Sequence, residues 1–160
     1  MRHRIRAAGL IIDGNSILLV HHCNEARGVE LWIPPGGGLI ISDHSIFDTA
    51  RREIFEETGL SVEVSRIGYI REFRDIQNQI HHIEFFMPVD SYSGNLTIAN
   101  VPEGDEDHPL IKSVQWIQRA ELHRIPVYPD WLVSDFFWCE ASQNFPMTRY
   151  IESSIGSKKL

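Results

Sequence analysis

Three glutamates, Glu53, Glu56 and Glu57, are spaced so that a helix would carry their carboxylates on one side. At about 100° per residue, the three positions share an arc of about 100°. Carboxylates held this close repel one another and favour a hard divalent cation such as Mg²⁺ or Mn²⁺. The glycine run 36–38 lies just upstream, and glycine backbone can approach a ligand closely. The pattern indicates a site for metal and phosphate, against the simpler alternative of a solvated acidic helix face.

The helix that must position these carboxylates is predicted over residues 45–58. Ser45 is a suitable N-cap, Asp48 three residues later forms a weak capping box, and Gly59 stands where a C-terminal glycine ends a helix. Its apolar residues fall on the flank beside the carboxylates and are expected to pack on a sheet: Phe47, Ala50 and Ile54.

Strands are predicted on both sides of this helix. Residues 4–12 and 16–22 would pair as a hairpin around the turn-forming run Asp13-Gly14-Asn15. Enrichment in β-branched and aromatic residues predicts further strands within 31–33, 61–73, 79–89 and 112–117. Apolar residues at helical spacing predict a second helix over 130–139. This order of elements predicts a mixed sheet covered by helices.

The segment from Gly38 to Leu60 resembles the signature of the Nudix (MutT-like) hydrolases. That signature reads Gly, five residues, Glu, seven residues, Arg-Glu, an aliphatic residue, any residue, Glu-Glu, any residue, Gly and an aliphatic residue. The matching positions are Gly38, Arg52, Glu53, Ile54, Glu56, Glu57, Gly59 and Leu60. The first Glu of the signature is replaced by His44.

The replaced position leaves two alternatives. In the family the first Glu commonly supports the site and interacts with the signature arginine, which is Arg52 in this chain. Counted forward from the glycines, a loop one residue longer than usual would bring Asp43 onto the acidic position. Counted back from the helix, His44 holds the position and supplies either a neutral ligand or nothing.

The resemblance implies an α/β/α sandwich with a mixed β-sheet. We expect a single Nudix hydrolase domain over residues 1–151 and a polar tail over 152–160. The implied reaction is hydrolysis of a phosphoanhydride (pyrophosphate) bond in a nucleoside diphosphate linked to another moiety. The substrate is therefore expected to be a small-molecule nucleoside diphosphate derivative, and a homodimer is compatible with what is common among relatives.

The resemblance also implies roles for the signature residues. A Mg²⁺ or Mn²⁺ ion would be held by two carboxylates and a backbone carbonyl: Glu56, Glu57, and Gly37 or Gly38. The ion would neutralise phosphate oxygens and lower the pKa of an attacking water. Glu53 is either a further ligand or the base that takes the proton, and Arg52 orients the carboxylates.

Other candidates lie outside the signature. Relatives often use a later acidic residue as a further metal ligand or as the base. Residues 103–107 offer several candidates, and the alternative is a solvated surface loop. Arg71 and Arg74 could bind substrate phosphate in a bidentate manner, or be exposed strand arginines. The histidine pairs 21–22 and 81–82 cannot each chelate one ion, since neighbouring strand residues point to opposite faces.

Composition limits the remaining function classes. With 160 residues, 42% of them hydrophobic, the chain is long enough for one core. A net charge of −7 argues against a nucleic-acid surface, which draws on clustered Lys and Arg. Cys23 and Cys139 lie far apart in the sequence and form no disulfide framework. Asp13-Gly14-Asn15 interrupts the first apolar run, so neither a secretion signal nor a membrane span is predicted. We therefore expect a cytoplasmic protein.

Two other function classes share the signature. The replacement at His44 could mark a catalytically weakened nucleotide-binding or sensing module, although such a module has no need of the intact carboxylates. A non-hydrolytic relative such as an isopentenyl diphosphate isomerase would require a dedicated acid and a nearby cysteine, for which Cys23 and Cys139 show no context.

Overall fold

Two β-sheets and the helices that cover them make up the fold, in a computed structural model that describes residues 1–105 and 108–152. The strands are β1 (Arg2–Leu10), β2 (Ile12–Asp13), β3 (Ser16–Asn24), β4 (Val29–Ile33), β5 (Gly36–Gly38), β6 (Ser61–Val64), β7 (Tyr69–Asp75), β8 (Ile80–Ser93), β9 (Ile111–Gln118) and β10 (Arg149–Glu152). The α-helices are α1 (Ile46–Thr58) and α2 (Asp135–Ser142), and short 3-10 helices span Glu25–Arg27, Arg119–Arg124 and Asp130–Val133.

The larger sheet has six strands and is mixed. Its order is β10-β7-β8-β1-β5, and β6 pairs with the C-terminal part of β8. β1 runs parallel to β8 and antiparallel to β5, which ends the sheet. The smaller sheet has the order β2-β3-β4, with β9 paired to β3.

Alternate residues of the central strands enter two separate cores. In β1, Ala7 packs in the core that contains Ala50 and Ile54 of α1, whereas Ala8 packs in the core that contains Phe137 of α2. Neighbouring strand residues point to opposite faces, so both faces of the sheets are covered. The predicted mixed α/β sandwich is confirmed.

Helix α1 forms where its caps predict. The Ser45 side chain accepts a hydrogen bond from the Asp48 backbone N–H, and Gly59 ends the helix at φ 77°. Ala50 and Ile54 are fully buried. The helix is thereby fixed at both ends and along one flank, which sets the direction in which its carboxylates point.

The predicted hairpin of residues 4–12 with 16–22 is wrong except at its tip. The pairing joins Ile12 with Ile17 and Asp13 with Ser16, with one further hydrogen bond from the Leu18 N–H to the Ile11 carbonyl, while β1 joins the other sheet between β8 and β5. Residues 7–11 are all buried. A continuous apolar run is typical of a strand covered on both faces rather than of a half-exposed hairpin arm.

The predicted second helix over 130–139 is divided. A 3-10 helix spans Asp130–Val133 and α2 begins at Asp135. Between them Ser134 has an extended backbone, and its side chain accepts a hydrogen bond from the Phe137 backbone N–H. Serine competes with the helix backbone in this way and is favoured at caps, so it starts a new helix here.

The tail predicted over 152–160 lies, from residue 153 onward, outside the described residues, and its separation from a domain over 1–151 stays a prediction. Within the described ranges no helix combines the length and apolar character that crossing a bilayer requires.

Candidate active site

The glycine strand β5 lets two other elements approach its backbone. A Cβ on Gly36 would lie 2.3 Å from the Ala7 carbonyl oxygen, and one on Gly37 would lie 2.4 Å from the Glu53 carboxyl carbon. Such separations are far below van der Waals contact. The absence of side chains here is therefore what allows β1 to pair closely on one side and a carboxylate of α1 to lie against the strand.

Glu57 ties α1 to this strand. Its Oε2 accepts a hydrogen bond of 2.8 Å from the Gly36 backbone N–H, and the residue is 3% exposed. From β1, Arg6 donates through Nη2 to the carbonyls of Pro34 (3.1 Å) and Gly36 (2.8 Å). Charged groups on both sides therefore satisfy the backbone of the glycine strand.

Arg52 gathers the other acidic groups of the site. Its Nε and Nη2 donate to the two oxygens of Asp43, at 3.0 and 2.9 Å. Its Nη1 donates to Glu53 (2.8 Å) and Glu56 (3.2 Å), and Nη2 also donates to the Gly38 carbonyl (3.0 Å). One guanidinium thus holds three carboxylates and the glycine strand together.

Of the two alternatives for the replaced signature position, Asp43 is the residue in contact with Arg52. The Thr49 hydroxyl and the Ile40 backbone N–H also donate to Asp43, at 2.9 and 3.2 Å. Chiefly through the Arg52 hydrogen bonds, the pKa of Asp43 falls to about 2. His44 is exposed. The longer loop therefore presents Asp43 to the arginine.

Replacing Asp43 by Asn is expected to lower the free energy of unfolding by about 1–2 kcal/mol at neutral pH, because a charged two-point contact with Arg52 is lost. Since the folded pKa of about 2 lies below the unfolded value of about 3.9, this stabilisation is full above about pH 4. It is lost as the pH falls through about 2. Urea unfolding at several pH values measures the difference.

The exposed neighbour His44 provides the matched control for that experiment. His44→Asn is expected to change the unfolding free energy by less than about 0.5 kcal/mol, as surface substitutions usually do. A loss for Asp43→Asn of the same size at pH 2 and at neutral pH would show that its charge is not what stabilises the fold.

Burial acts on the ionisation of the α1 carboxylates. Desolvation raises the pKa of Glu53 to about 7, with a contribution from the charge of Glu56 and opposition from Arg52 and Arg6. Desolvation also raises the pKa of Glu56, and the charge of Asp105 adds to this. A carboxyl with a pKa near 7 can hold or release a proton at neutral pH.

The donor chemistry of the site fits a hard divalent cation. Glu53 and Glu56 already share one positive group, the Arg52 guanidinium, and every candidate donor is an oxygen. Across residues 1–105 and 108–152, however, no three acidic, histidine or cysteine side chains stand together in a metal-binding arrangement. Glu57 is instead turned to the Gly36 N–H. Metal binding thus remains a prediction, supported by the type of the donors rather than by their arrangement.

A cavity of about 400 Å³ opens onto these carboxylates. Its lining comes from β1, β5, α1 and two loops: Arg4, Gly37, Gly38, Ile40, Arg52, Glu53, Glu56, Pro102, Gly104 and Asp105. From the acidic loop 103–107 it includes Asp105, while Glu106 and Asp107 lie outside the described residues. Asp105 is therefore the member of that loop which the structure brings to the site.

A second cavity, of about 190 Å³, shares Arg4 with the first. Seven of its eleven lining residues are charged or polar, namely Arg4, Arg6, His22, Asp75, Asn78, His82 and Glu84, and the others are Ile33, Gly36, Ile80 and Leu110. His22 and His82 face this cavity, whereas His21 and His81 bond to Glu30 and Glu72. Each histidine pair is thus divided between two faces, as strand geometry predicts.

The sequence interpretation did not include Arg4, Arg6 or Glu84. Their signal was available in β1, where arginines occupy every second position before the buried run. Alternation of this kind is typical of a strand with one polar face. Glu84 lies opposite Arg6 in the neighbouring strand, a pairing that no local pattern indicates.

Neither Arg71 nor Arg74 belongs to the described lining of either cavity. Arg71 forms an ion pair of 3.0 Å with Glu84, which is 1% exposed, and donates to the Tyr128 hydroxyl. Arg74 is exposed on the opposite face of β7. Their contact with substrate phosphate stays a prediction.

Comparison with known proteins gives the family. Residues 2–134 match the model of the NUDIX domain. A human protein, nucleoside diphosphate-linked moiety X motif 6, is 38% identical over 72 residues, which are 44% of this chain and 22% of that protein. The matched segment thus spans about a fifth of that relative.

Solved structures share the fold. The E. coli ORF135 protein superposes with a TM-score of 0.67 at 19% identity, covering 89% of this chain and 94% of that one. An ADP-ribose pyrophosphatase from Streptococcus suis superposes with a TM-score of 0.58 at 19% identity, covering 94% and 98%. With the signature carried by α1 and the NUDIX match over most of the sequence, the chain belongs to the NUDIX family.

Proposed function

We propose that the chain is a metal-dependent hydrolase that cleaves the phosphoanhydride bond of a nucleoside diphosphate linked to another moiety. The observation that carries this proposal is that Glu53, Glu56 and Arg52 line the 400 Å³ cavity together with Gly37 and Gly38. Family membership supports it, and so do the names of the human relative and of the Streptococcus suis structure.

In this proposal Glu56 and Glu57, with the carbonyl of Gly37 or Gly38, would hold Mg²⁺ or Mn²⁺. When bound, the ion supplies charge neutralisation for phosphate oxygens and lowers the pKa of an attacking water. Arg52 holds Glu53 and Glu56 near each other. Less reorganisation is then needed when substrate and cation bind.

Glu53 serves in the proposal as a further ligand or as the base that takes the proton. Its pKa of about 7 suits a base at neutral pH, since a large fraction is ionised and the group can still retain a proton. Gly37 contributes by lacking a side chain, which leaves the Glu53 carboxylate against the strand. Asp43 holds the arginine that orients this group.

We expect metal-dependent cleavage of the phosphoanhydride bond when the protein is given a panel of nucleoside diphosphate derivatives, measured by chromatography of the two phosphorylated products that hydrolysis leaves. The panel includes ADP-ribose, dinucleoside polyphosphates, oxidised nucleoside triphosphates and nucleotide sugars, each with Mg²⁺, with Mn²⁺ and with EDTA. Glu57→Gln serves as the blank. Saturable binding of a panel member without turnover would favour a nucleotide-sensing module, and neither binding nor turnover would contradict both functions.

The remaining parts of the proposal concern context. We propose that the partner is a small molecule rather than a nucleic acid or a membrane, because the chain carries a net charge of −7. We also propose a cytoplasmic location and a single domain over residues 1–151. A homodimer is compatible with the family, and light scattering of the purified protein measures it.

A further inference from the structure

Arg4 contributes to the lining of both cavities. It is the side chain common to the lining of the 400 Å³ cavity, with Glu53 and Glu56, and of the 190 Å³ cavity, with Asp75 and Glu84. The glycine strand β5 also borders both, through Gly36 in one and residues 37–38 in the other. A ligand that occupies both cavities would therefore lie against Arg4.

The other arginines of the two linings are already engaged. Arg52 donates to three carboxylates and to the Gly38 carbonyl. Arg6 is 9% exposed and donates to the carbonyls of Pro34 and Gly36. Arg4, in contrast, is exposed, and its guanidinium has no hydrogen bond or ion pair to any residue of the described ranges.

The carboxylates around Arg4 make its positive charge important for binding an anion. Carboxylates line the first cavity at Glu53, Glu56 and Asp105, and the second at Asp75 and Glu84. A diphosphate entering between them meets mostly like charge, which raises its free energy unless a cation is close. Guanidinium matches phosphate oxygens with two parallel N–H donors.

We propose that Arg4 is a substrate-binding residue that holds the diphosphate between the two cavities. One side of the substrate then lies over the α1 carboxylates and the group on the other side enters the smaller cavity. The inference rests on the proposed function, and it goes beyond it by naming a contact outside the signature. It also assigns the smaller cavity to one of the two moieties that the diphosphate joins.

The test is binding of α,β-methylene-ADP, a diphosphate that resists hydrolysis, measured by calorimetry with Mg²⁺ at about 0.15 M salt. Arg4→Gln is expected to raise the Kd by about 10-fold or more, as for a lost charge-assisted contact. Arg2→Gln is the matched control, because it removes the same charge from the same face of β1 about 7 Å away and lines neither described cavity. It should change the Kd by less than about two-fold, since exposed charges are screened.

Steady-state kinetics, measured with a panel substrate that the protein cleaves, provide an independent test. Arg4→Gln is expected to raise KM by a similar factor with kcat nearly unchanged, as for a contact made equally in the ground and transition states. A lowered melting temperature without a change in Kd would indicate a structural role and overturn the inference. So would equal effects of the Arg4 and Arg2 variants, or absence of α,β-methylene-ADP binding by the unaltered protein.

Failure of the proposed function gives a different result. In that case no panel compound is hydrolysed by the unaltered protein, yet α,β-methylene-ADP still binds and Arg4→Gln still weakens it. Hydrolysis that persists with an unchanged KM in Arg4→Gln would instead leave the function intact and remove Arg4 from it.

Discussion

Glu57→Gln is expected to lower kcat by more than about 100-fold while the fold is retained. Loss of a residue that only supports a metal ligand typically lowers activity about 10- to 100-fold, and Glu57 is proposed to bind the metal directly. Gln keeps an oxygen that can accept from the Gly36 N–H, so the 2.8 Å contact between α1 and β5 survives. What is lost is the negative charge that the proposed cation requires. Steady-state kinetics with Mg²⁺ and thermal unfolding of the same samples measure the two effects.

Glu56→Gln is expected to behave in the same way, since it removes charge rather than packing. Glu63→Gln is the control, because Glu63 is exposed in β6 and lines neither described cavity. Its kcat and KM should remain within about two-fold of those of the unaltered protein, as for most surface substitutions. Unchanged turnover in both the Glu56 and Glu57 variants would contradict the assignment of the site.

Gly37→Ala is expected to damage both stability and activity. The new Cβ would lie 2.4 Å from the Glu53 carboxyl carbon, so Glu53, which is 8% exposed, must move. Overpacking of this kind costs about 1–3 kcal/mol. Displacing a reacting group by an ångström can cost about 100-fold in rate. Chemical denaturation and kcat, measured on one preparation, test both parts.

The next residue of the strand is the control for stability. A Cβ on Gly38 would come no closer than 4.0 Å to the Ile5 carbonyl oxygen, so Gly38→Ala should leave the unfolding free energy unchanged or slightly raised. Equal destabilisation by the two substitutions would mean that β5 needs glycine for its backbone alone, and not for the approach of Glu53.

The parts of the fold that sequence predicts well are those set by local chemistry. Helix α1 depends on a serine cap, a C-terminal glycine and apolar residues on one flank. All of these signals lie within one short segment of the sequence. Most strands, including β1, follow from composition in the same way, whereas β5 and β10 were not predicted. The position of the carboxylates on α1 was therefore predictable.

Other features depend on pairing between distant segments. Asp43 could not be preferred over His44 by counting residues, because the loop folds so that Asp43 contacts Arg52 nine residues later. The place of β1 depends on β8, whose partner residues lie about 78 positions along the chain. No local signal encodes such a register. Arg4 is different, because the alternation of arginines in β1 is a local signal that the sequence interpretation did not use.

The glycine strand β5 lies at the end of its sheet, paired with β1 alone. An edge strand exposes unpaired backbone N–H and C=O groups, with which a strand of another molecule can pair and cause aggregation. Here the Gly36 N–H is bound by Glu57 and the Gly38 carbonyl by Arg52. The side chains proposed to bind the cation and to orient its ligands thus also take the place of a neighbouring strand, and so protect this edge from pairing between molecules.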